Sequence, residues 1–287
     1  MTIKNPVEWG WAQLWTAVTA IGAAGPALHH IQDTIHSPAP TVRRIGLHDV
    51  TDALAAGFED FATFRSDVVF LCVFYPLIGL LLAQFVFGSE MLPLLFPIAS
   101  GFALVGPFAA IGLYEMSRRH EKGLETSWIH ALDVFRSPAV GSMAVLGLFL
   151  VAIFLAWLYA AWTIFELTMG PDLPVSLTAF ANDVAFTSGG HLMAATGVAV
   201  GFLFAVFAMS VSVVSFPLLL DRDVGLDTAF KTSIKAVWMN PLPMAFWGFI
   251  VASTLAIGSV PMLIGLAVVM PTLGHATWHL YRKIIAN

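Results

Sequence analysis

Six long stretches without one Asp, Glu, Lys or Arg side chain divide this chain of 287 residues. They run Val68–Phe87, Leu92–Tyr114, Val140–Phe165, His191–Leu220, Leu242–Val260 and Pro261–Leu280. An α-helix rises about 1.5 Å per residue, so about 20 apolar residues cross about 30 Å of hydrocarbon. Each stretch meets that length, the last two sharing a short turn. The chain is 58% hydrophobic and 11% charged, with mean hydropathy +0.83. A soluble domain carries about 25% charged residues. The expected fold is therefore all-α, a polytopic membrane helix bundle of six transmembrane helices.

The distribution of cations gives an orientation. If each stretch crosses once, Lys4, Arg43, Arg44, Arg65, Arg118, Arg119, Lys122, Arg136, Arg222, Lys231, Lys235, Arg282 and Lys283 all fall on one side. The alternate connections, Gly88–Met91, Glu166–Gly190 and the turn near Ser259–Pro261, hold no Lys or Arg. Cytoplasmic loops collect basic residues. The expected location is a bacterial inner membrane, with both termini cytoplasmic. The net charge of −5 and the absence of a basic patch with interleaved aromatics argue against a nucleic-acid partner. The single cysteine, Cys72, excludes a disulfide framework and Cys/His zinc spacing.

Residues 1–40 form a Trp-rich segment. Trp9–Leu28 is uncharged but rich in Gly, Ala and Thr and contains Pro26. Trp9, Trp11 and Trp15 suit the headgroup level. The segment reads as an interfacial helix, with a seventh span or a signal-like segment as alternatives. Residues 41–287 read as the membrane domain, in three repeats of about 41–119, 120–222 and 223–287. Each repeat has an amphipathic helix and then two spans. Leu47, Val50, Leu54, Phe58 and Phe61 recur at helical steps, with Asp49, Asp52, Glu59 and Asp60 on the other face. Trp128, Leu132 and Phe135 do the same in the second unit, and Leu226, Phe230, Ile234 and Val237 in the third. Each helix carries an Ala followed by a large apolar residue: Ala53-Leu54, Ala131-Leu132 and Ala229-Phe230. Ser137-Pro138 and Asn240-Pro241 lead into spans, and Ser66-Asp67 takes that place in the first unit.

Pro93, Pro97, Pro107, Pro217 and Pro271 fall in the even-numbered stretches and are expected to kink them. Shape for packing is one reading, and a broken helix lining a site is the other. Gly197 and Gly201 have the spacing that lets helices approach closely.

Chemistry-bearing residues are few. No ionisable carboxylate or cation lies within a span, as proton relays and ion pathways require. No nucleophile elbow, phosphate loop or zincin motif is present, so the expectation is no enzyme and no cofactor. His275 and His279 share a helix face and form the one speculative metal or haem pair. Two interfacial histidines beside Trp278 and Tyr281 are the plainer reading. His29, His30 and His36 form a second cluster, and His191 sits at a span mouth. Glu115 near Arg118 and Arg119, and Asp221 near Arg222, set helix depth, or the arginines hold a lipid phosphate. The speculative lipid- or partner-binding set is Arg43, Arg44, Arg118, Arg119, Glu115, Trp278 and Tyr281. The acidic connection 166–190 reads as a solvated connector.

Three blocks carry a resemblance. They are Pro40–Ile45 with Asp49-Val50, Ala53-Leu54, Gly57 and Asp60-Phe61; Gly101–Pro107 with Gly112–Glu115 and Ser117–Arg119; and Gly274–Arg282. Over about residues 38–283 the chain resembles a bacterial family of predicted integral membrane proteins of the domain-of-unknown-function 2189 type. That family brings no activity. Some members are labelled cytochrome c oxidase subunit I, a protein of twelve spans with several buried haem and copper histidines, which this chain does not match. The label implies at most an accessory or assembly role beside a respiratory complex. The leading expectation is a non-enzymatic membrane protein that binds a lipid or protein partner. A small-molecule or lipid transporter and a haem- or metal-binding subunit are the alternatives.

Overall fold

The computed structural model describes residues 34, 37–72, 84, 91–170, 172–260 and 263–286, with backbone only at 65–72 and 102–105. The N-terminal segment 9–28, the cluster His29, His30 and His36, and most of the first apolar stretch lie outside them. The described residues are helical, with one isolated antiparallel bridge between Val42 and Ile285.

In chain order the α-helices are α1 (Leu47–Cys72), α2 (Leu95–Ala109), α3 (Ile111–Glu121), α4 (Val140–Met169), α5 (Leu177–Phe186), α6 (Ser188–Ser212), α7 (Ser215–Asp221), α8 (Leu226–Met239), α9 (Pro241–Ser259) and α10 (Leu266–Ile284). Two 3-10 segments, Leu92–Leu94 and Trp128–Arg136, precede α2 and α4. Among the described residues three rods are long and apolar enough to cross a membrane: α4, α6 with α7 taken together, and α9.

Prolines mark the breaks. Pro241 is the first residue of α9, where its missing N–H has no intrahelical role. Ser137-Pro138 separates the second 3-10 segment from α4. No proline stands at Ser66-Asp67, and α1 runs through without interruption. The amphipathic helix of the first unit and the start of its apolar stretch are thus one helix. The stretch Leu92–Tyr114 is not one rod. It is a 3-10 turn, then α2 with Pro107 inside it, then a turn at Ala110 before α3. The last helix starts at Leu266 and runs to Ile284, four residues beyond the apolar stretch.

The buried faces differ from the hydropathy pattern. Val50, Ala53, Gly57, Asp60 and Phe64 form the inward stripe of α1 at steps of three and four, while Leu47 and Phe58 are exposed. In α8 the inward face is Thr228, Ala229, Thr232, Ser233, Ala236 and Val237. In the second 3-10 segment it is Ala131 and Val134, with Phe135 exposed. Lipid tails are as apolar as Leu, so hydrophobicity does not drive large side chains inward in a membrane. Small residues let backbones approach, and they do so here. A Cβ on Gly57 would collide with the backbone N and Cα of Ala276, so α1 and α10 touch along their main chains. In the Gly197/Gly201 pair only Gly201 faces a neighbour, the Trp157 ring, and a Cβ on Gly197 would meet nothing within 4 Å.

One buried amide ties the start of the described chain to the α8–α9 junction. The Asn240 carbonyl oxygen accepts from the Ile45 N–H (2.8 Å), and its Nδ2 donates to the Arg43 (3.1 Å) and Ala236 (3.0 Å) carbonyls. Beside it the Arg43 N–H donates to the Ile284 carbonyl (2.8 Å) and the Ala286 N–H to the Thr41 carbonyl (3.0 Å).

Candidate functional site

Two features stand out: a polar cluster where α1, α3 and α10 meet, and an apolar cavity on the other face of α10.

Asp60 is the centre of the first. Hydropathy places it on the solvent face of α1, yet it is only 4% exposed. His120 donates from Nδ1 to Oδ1 (2.8 Å), His279 from Nε2 to Oδ2 (2.9 Å), and the Ser117 hydroxyl to Oδ2 (2.6 Å). Ser117 has one proton and gives it to Asp60. The contact at 2.8 Å between its oxygen and His275 Nδ1 therefore assigns the proton to His275. Burial pushes the Asp60 carboxyl up, but the bonds from His279, Ser117 and His120 outweigh it and hold it far below the usual carboxylate range. His275 is enclosed, and its Nε2 has no partner. The His275/His279 pair thus faces Ser117 and Asp60, a tie between helices, and its inner nitrogens are engaged there. Among the described residues no group of three or more His, Cys, Asp or Glu side chains is placed to hold a metal ion.

Charged pairs surround this cluster. Arg118 grips Glu115 with two parallel bonds (2.7 and 2.8 Å), and Glu115 is 2% exposed. The Glu115 carboxylate raises Arg118 above the ordinary guanidinium value, against the effect of burial. Arg119 pairs with Asp133 (3.5 Å) and bonds the Glu125 carbonyl (3.0 Å). Trp278 donates to Glu121 (3.1 Å), which also holds Arg282 (2.9 Å). Tyr281 donates to Asp221 (2.8 Å); burial and that carboxylate push its hydroxyl well up. Arg222 bonds the Ala286 carbonyl, and Lys283 lies between Asp49 (3.4 Å) and Asp52 (3.1 Å).

The expected binding set therefore divides. Glu115, Trp278 and Tyr281 are enclosed and hold the bundle together, so they present no face to a lipid or partner. Arg118 and Arg119 are committed to carboxylates. Arg43 and Arg44 are exposed and form no ion pair among the described residues. Arg43, His279, Arg282 and Lys283, with Asp52 and Glu121, border an open polar hollow of about 290 Å³. Asp60 was missed because its partners lie 57 to 219 positions away. The signal available in sequence was its place in the stripe 50, 53, 57, 60, 64.

The second feature is a half-open, mostly apolar cavity of about 170 Å³ lined by α2, α3, α6, α9 and α10. Pro107 and Ala110 line it where α2 breaks, and Met209, Trp247, Val251 and Leu273 face them. The proline break thus borders a cavity. Among the described residues its wall has no Asp, Glu, Lys, Arg or His. A Cβ on Gly106 would meet nothing within 4 Å, and one on Gly248 only the end of Met209, its sulfur 3.6 Å away. These glycines leave space.

The connection 166–190 contains a helix, α5, whose start is capped by the Ser176 hydroxyl accepting from the Ala179 N–H (3.1 Å). It is more ordered than a plain connector. His191 bonds the Ala185 carbonyl (2.8 Å) behind it.

Comparison with known proteins agrees with the membrane reading. The model of a family described as predicted integral membrane protein (DUF2189) matches residues 95–221. No curated protein and no solved structure matches. The chain is an integral membrane protein with several apolar helices, and the description of the matched family names no function.

Proposed function

We propose that this chain is a non-enzymatic protein of the bacterial inner membrane that binds a membrane-derived apolar ligand between its helices. The observation that carries the reading is the cavity of about 170 Å³, mostly apolar and bordered by the Pro107 break. Small-molecule sites are concave, mostly apolar and few per protein. In a bilayer the abundant occupants of such a space are acyl chains and lipid-soluble small molecules.

The topology that goes with this reading has six spans, three repeats and both termini cytoplasmic. Two observations support it. Ala53, Ala131 and Ala229, equivalent in the three units, are all buried. Arg118, Arg119, Arg222, Arg282 and Lys283 each pair with a carboxylate, Arg222 and Arg282 sharing Asp221, in keeping with one-sided sorting. The polar cluster then acts as the frame that fixes α10, one wall of the cavity. A transporter would need a polar path through the bundle, and the apolar wall favours holding over passage. A respiratory complex stays in view as a protein partner through the exposed Arg43 and Arg44. The haem or metal reading is less favoured, because His275 and His279 face Ser117 and Asp60.

The test is purification in mild detergent, followed by native mass spectrometry and solvent extraction. The native protein should retain about one apolar ligand per chain, and Gly248→Leu, which fills the cavity, should lose it. Equal retention by both would overturn the reading.

A further inference from the structure

We propose that the polar hollow beside the end of α10 holds the phosphate of an anionic phospholipid headgroup, with Arg43 as the residue that receives it. The inference leaves the apolar cavity aside and rests on the six-span topology proposed with it. Six polar side chains border the hollow, and five of them are engaged within the protein. His279 donates to Asp60 (2.9 Å), Arg282 holds Glu121 (2.9 Å), and Lys283 lies 3.1 Å from Asp52. Glu121 also accepts from Trp278 (3.1 Å). Arg43 alone has no ion pair and no side-chain hydrogen bond among the described residues. Ala53 and Ala56 complete the border, and their small side chains keep the hollow open.

Water satisfies an exposed guanidinium, so exposure by itself carries nothing. Two observations single Arg43 out. The first is its support. Its N–H donates to the Ile284 carbonyl (2.8 Å) and its carbonyl accepts from Asn240 Nδ2 (3.1 Å), so the main chain is pinned on both sides. The stem of a permanently charged group is thus fixed at the rim of the hollow, with its charge unspent. Arg44, next in sequence, is also exposed but does not border the hollow. The second observation is depth. His279 is the penultimate residue of the apolar stretch Pro261–Leu280, and Arg282 and Lys283 follow that stretch closely. With six spans this is the level of the cytoplasmic headgroups, where phosphate is the abundant anion. A guanidinium takes phosphate through two parallel N–H bonds. A phosphodiester brings two unesterified oxygens and a single negative charge, the complement of the one charge that Arg43 leaves unmatched. The carboxylates at the border already hold Arg282 and Lys283, so they do not compete for it.

The full chain in mild detergent should be offered dioleoyl phosphatidylglycerol or dioleoylglycerol, which has the same tails and no phosphate. Bound lipid is counted by native mass spectrometry. The native protein should retain the phospholipid over dioleoylglycerol by about fivefold, the upper end of what an exposed ion pair contributes. Arg43→Gln keeps a long polar side chain and every main-chain bond but removes the charge. It should retain both lipids equally, whereas Arg44→Gln should keep the preference. Gly248→Leu, which fills the apolar cavity, should keep it too. A native protein without preference overturns the site, and so does a preference that survives in Arg43→Gln. An equal loss in Arg44→Gln reduces the effect to general surface charge and also overturns it. Loss of the preference in Gly248→Leu assigns the phospholipid to the cavity instead of the hollow. Glycerol 3-phosphate at equal concentration tests the source. If it displaces the phospholipid, the hollow lies in water, and the lipid assignment falls together with the topology behind it.

Discussion

Replacing Asp60 by asparagine removes the anion on which α1, α3 and α10 converge. Asparagine keeps one acceptor oxygen but presents an NH₂ to a donor that had a carboxylate oxygen. Hydrogen bonds to a charged group contribute about 1.5–3 kcal/mol each. The Ser117 bond counts nearly in full, because Ser117 is 1% exposed. The bonds from His279 and His120 count for less, since those side chains are 24% and 48% exposed and solvent replaces part of what is lost. The total comes to about 3–4 kcal/mol, within the range for breaking a buried pair. At about 2–4 °C per kcal/mol for a chain of this size, Asp60→Asn should melt about 10 °C lower in detergent. Thermal unfolding followed by size exclusion reads this directly. The effect also has a pH signature. The native carboxyl titrates below its unfolded value of about 3.9, so Asp60's contribution is fully present above that value. It is lost as pH falls through the lower native value. The gap between native protein and variant should therefore stay constant from neutral pH down to about pH 5 and shrink only in stronger acid. A variant that melts within 2 °C of the native protein, or a gap that closes already near pH 6, refutes the account.

Gly57→Val should be among the most damaging single changes, because a side chain there meets the Ala276 backbone. A loss of about 3 kcal/mol or more, seen as aggregation on extraction, is expected. Asn240→Leu strands the Ile45 N–H and the Arg43 carbonyl. About 3 kcal/mol should be lost, and proteolysis of residues 37–46 should accelerate. Lys283→Ala breaks two pairs whose members are all more than a third exposed. Its melting temperature should move by less than about 3 °C, as surface pairs contribute little.

How much of this was legible depended on what each residue contacts. The stretches around α4, α6–α7 and α9 read correctly because lipid demands long uncharged rods, a local property of sequence. The proline breaks before α4 and at α9 read correctly for the same reason: a missing N–H is a local fact. The inward faces of α1 and α8 did not. Hydropathy marks Leu47 and Phe58, whereas packing in lipid selects Ala53, Gly57 and Ala229 for their lack of bulk. Asp60 reads as a solvated residue because nothing near it in sequence neutralises it; Ser117, His120 and His279 are brought in only by the fold. The same holds for Arg118 and Glu115, whose i, i+3 pairing was visible but whose enclosure was not. The cavity was foreshadowed by Pro107 alone, and five helices have to assemble before it exists.

The pairing of Asp60 with α10 has a consequence for biogenesis. His279 leaves the ribosome 219 residues after the aspartate it serves. At about 5–20 residues per second, α1 waits on the order of ten seconds or longer for that bond, with only Ser117 and His120 synthesised earlier to meet Asp60. During that interval its inward stripe, Val50 to Phe64, is open to chaperones and proteases. Closure of the bundle is thus a late event that waits for α10, and until then the newborn chain is at its most vulnerable.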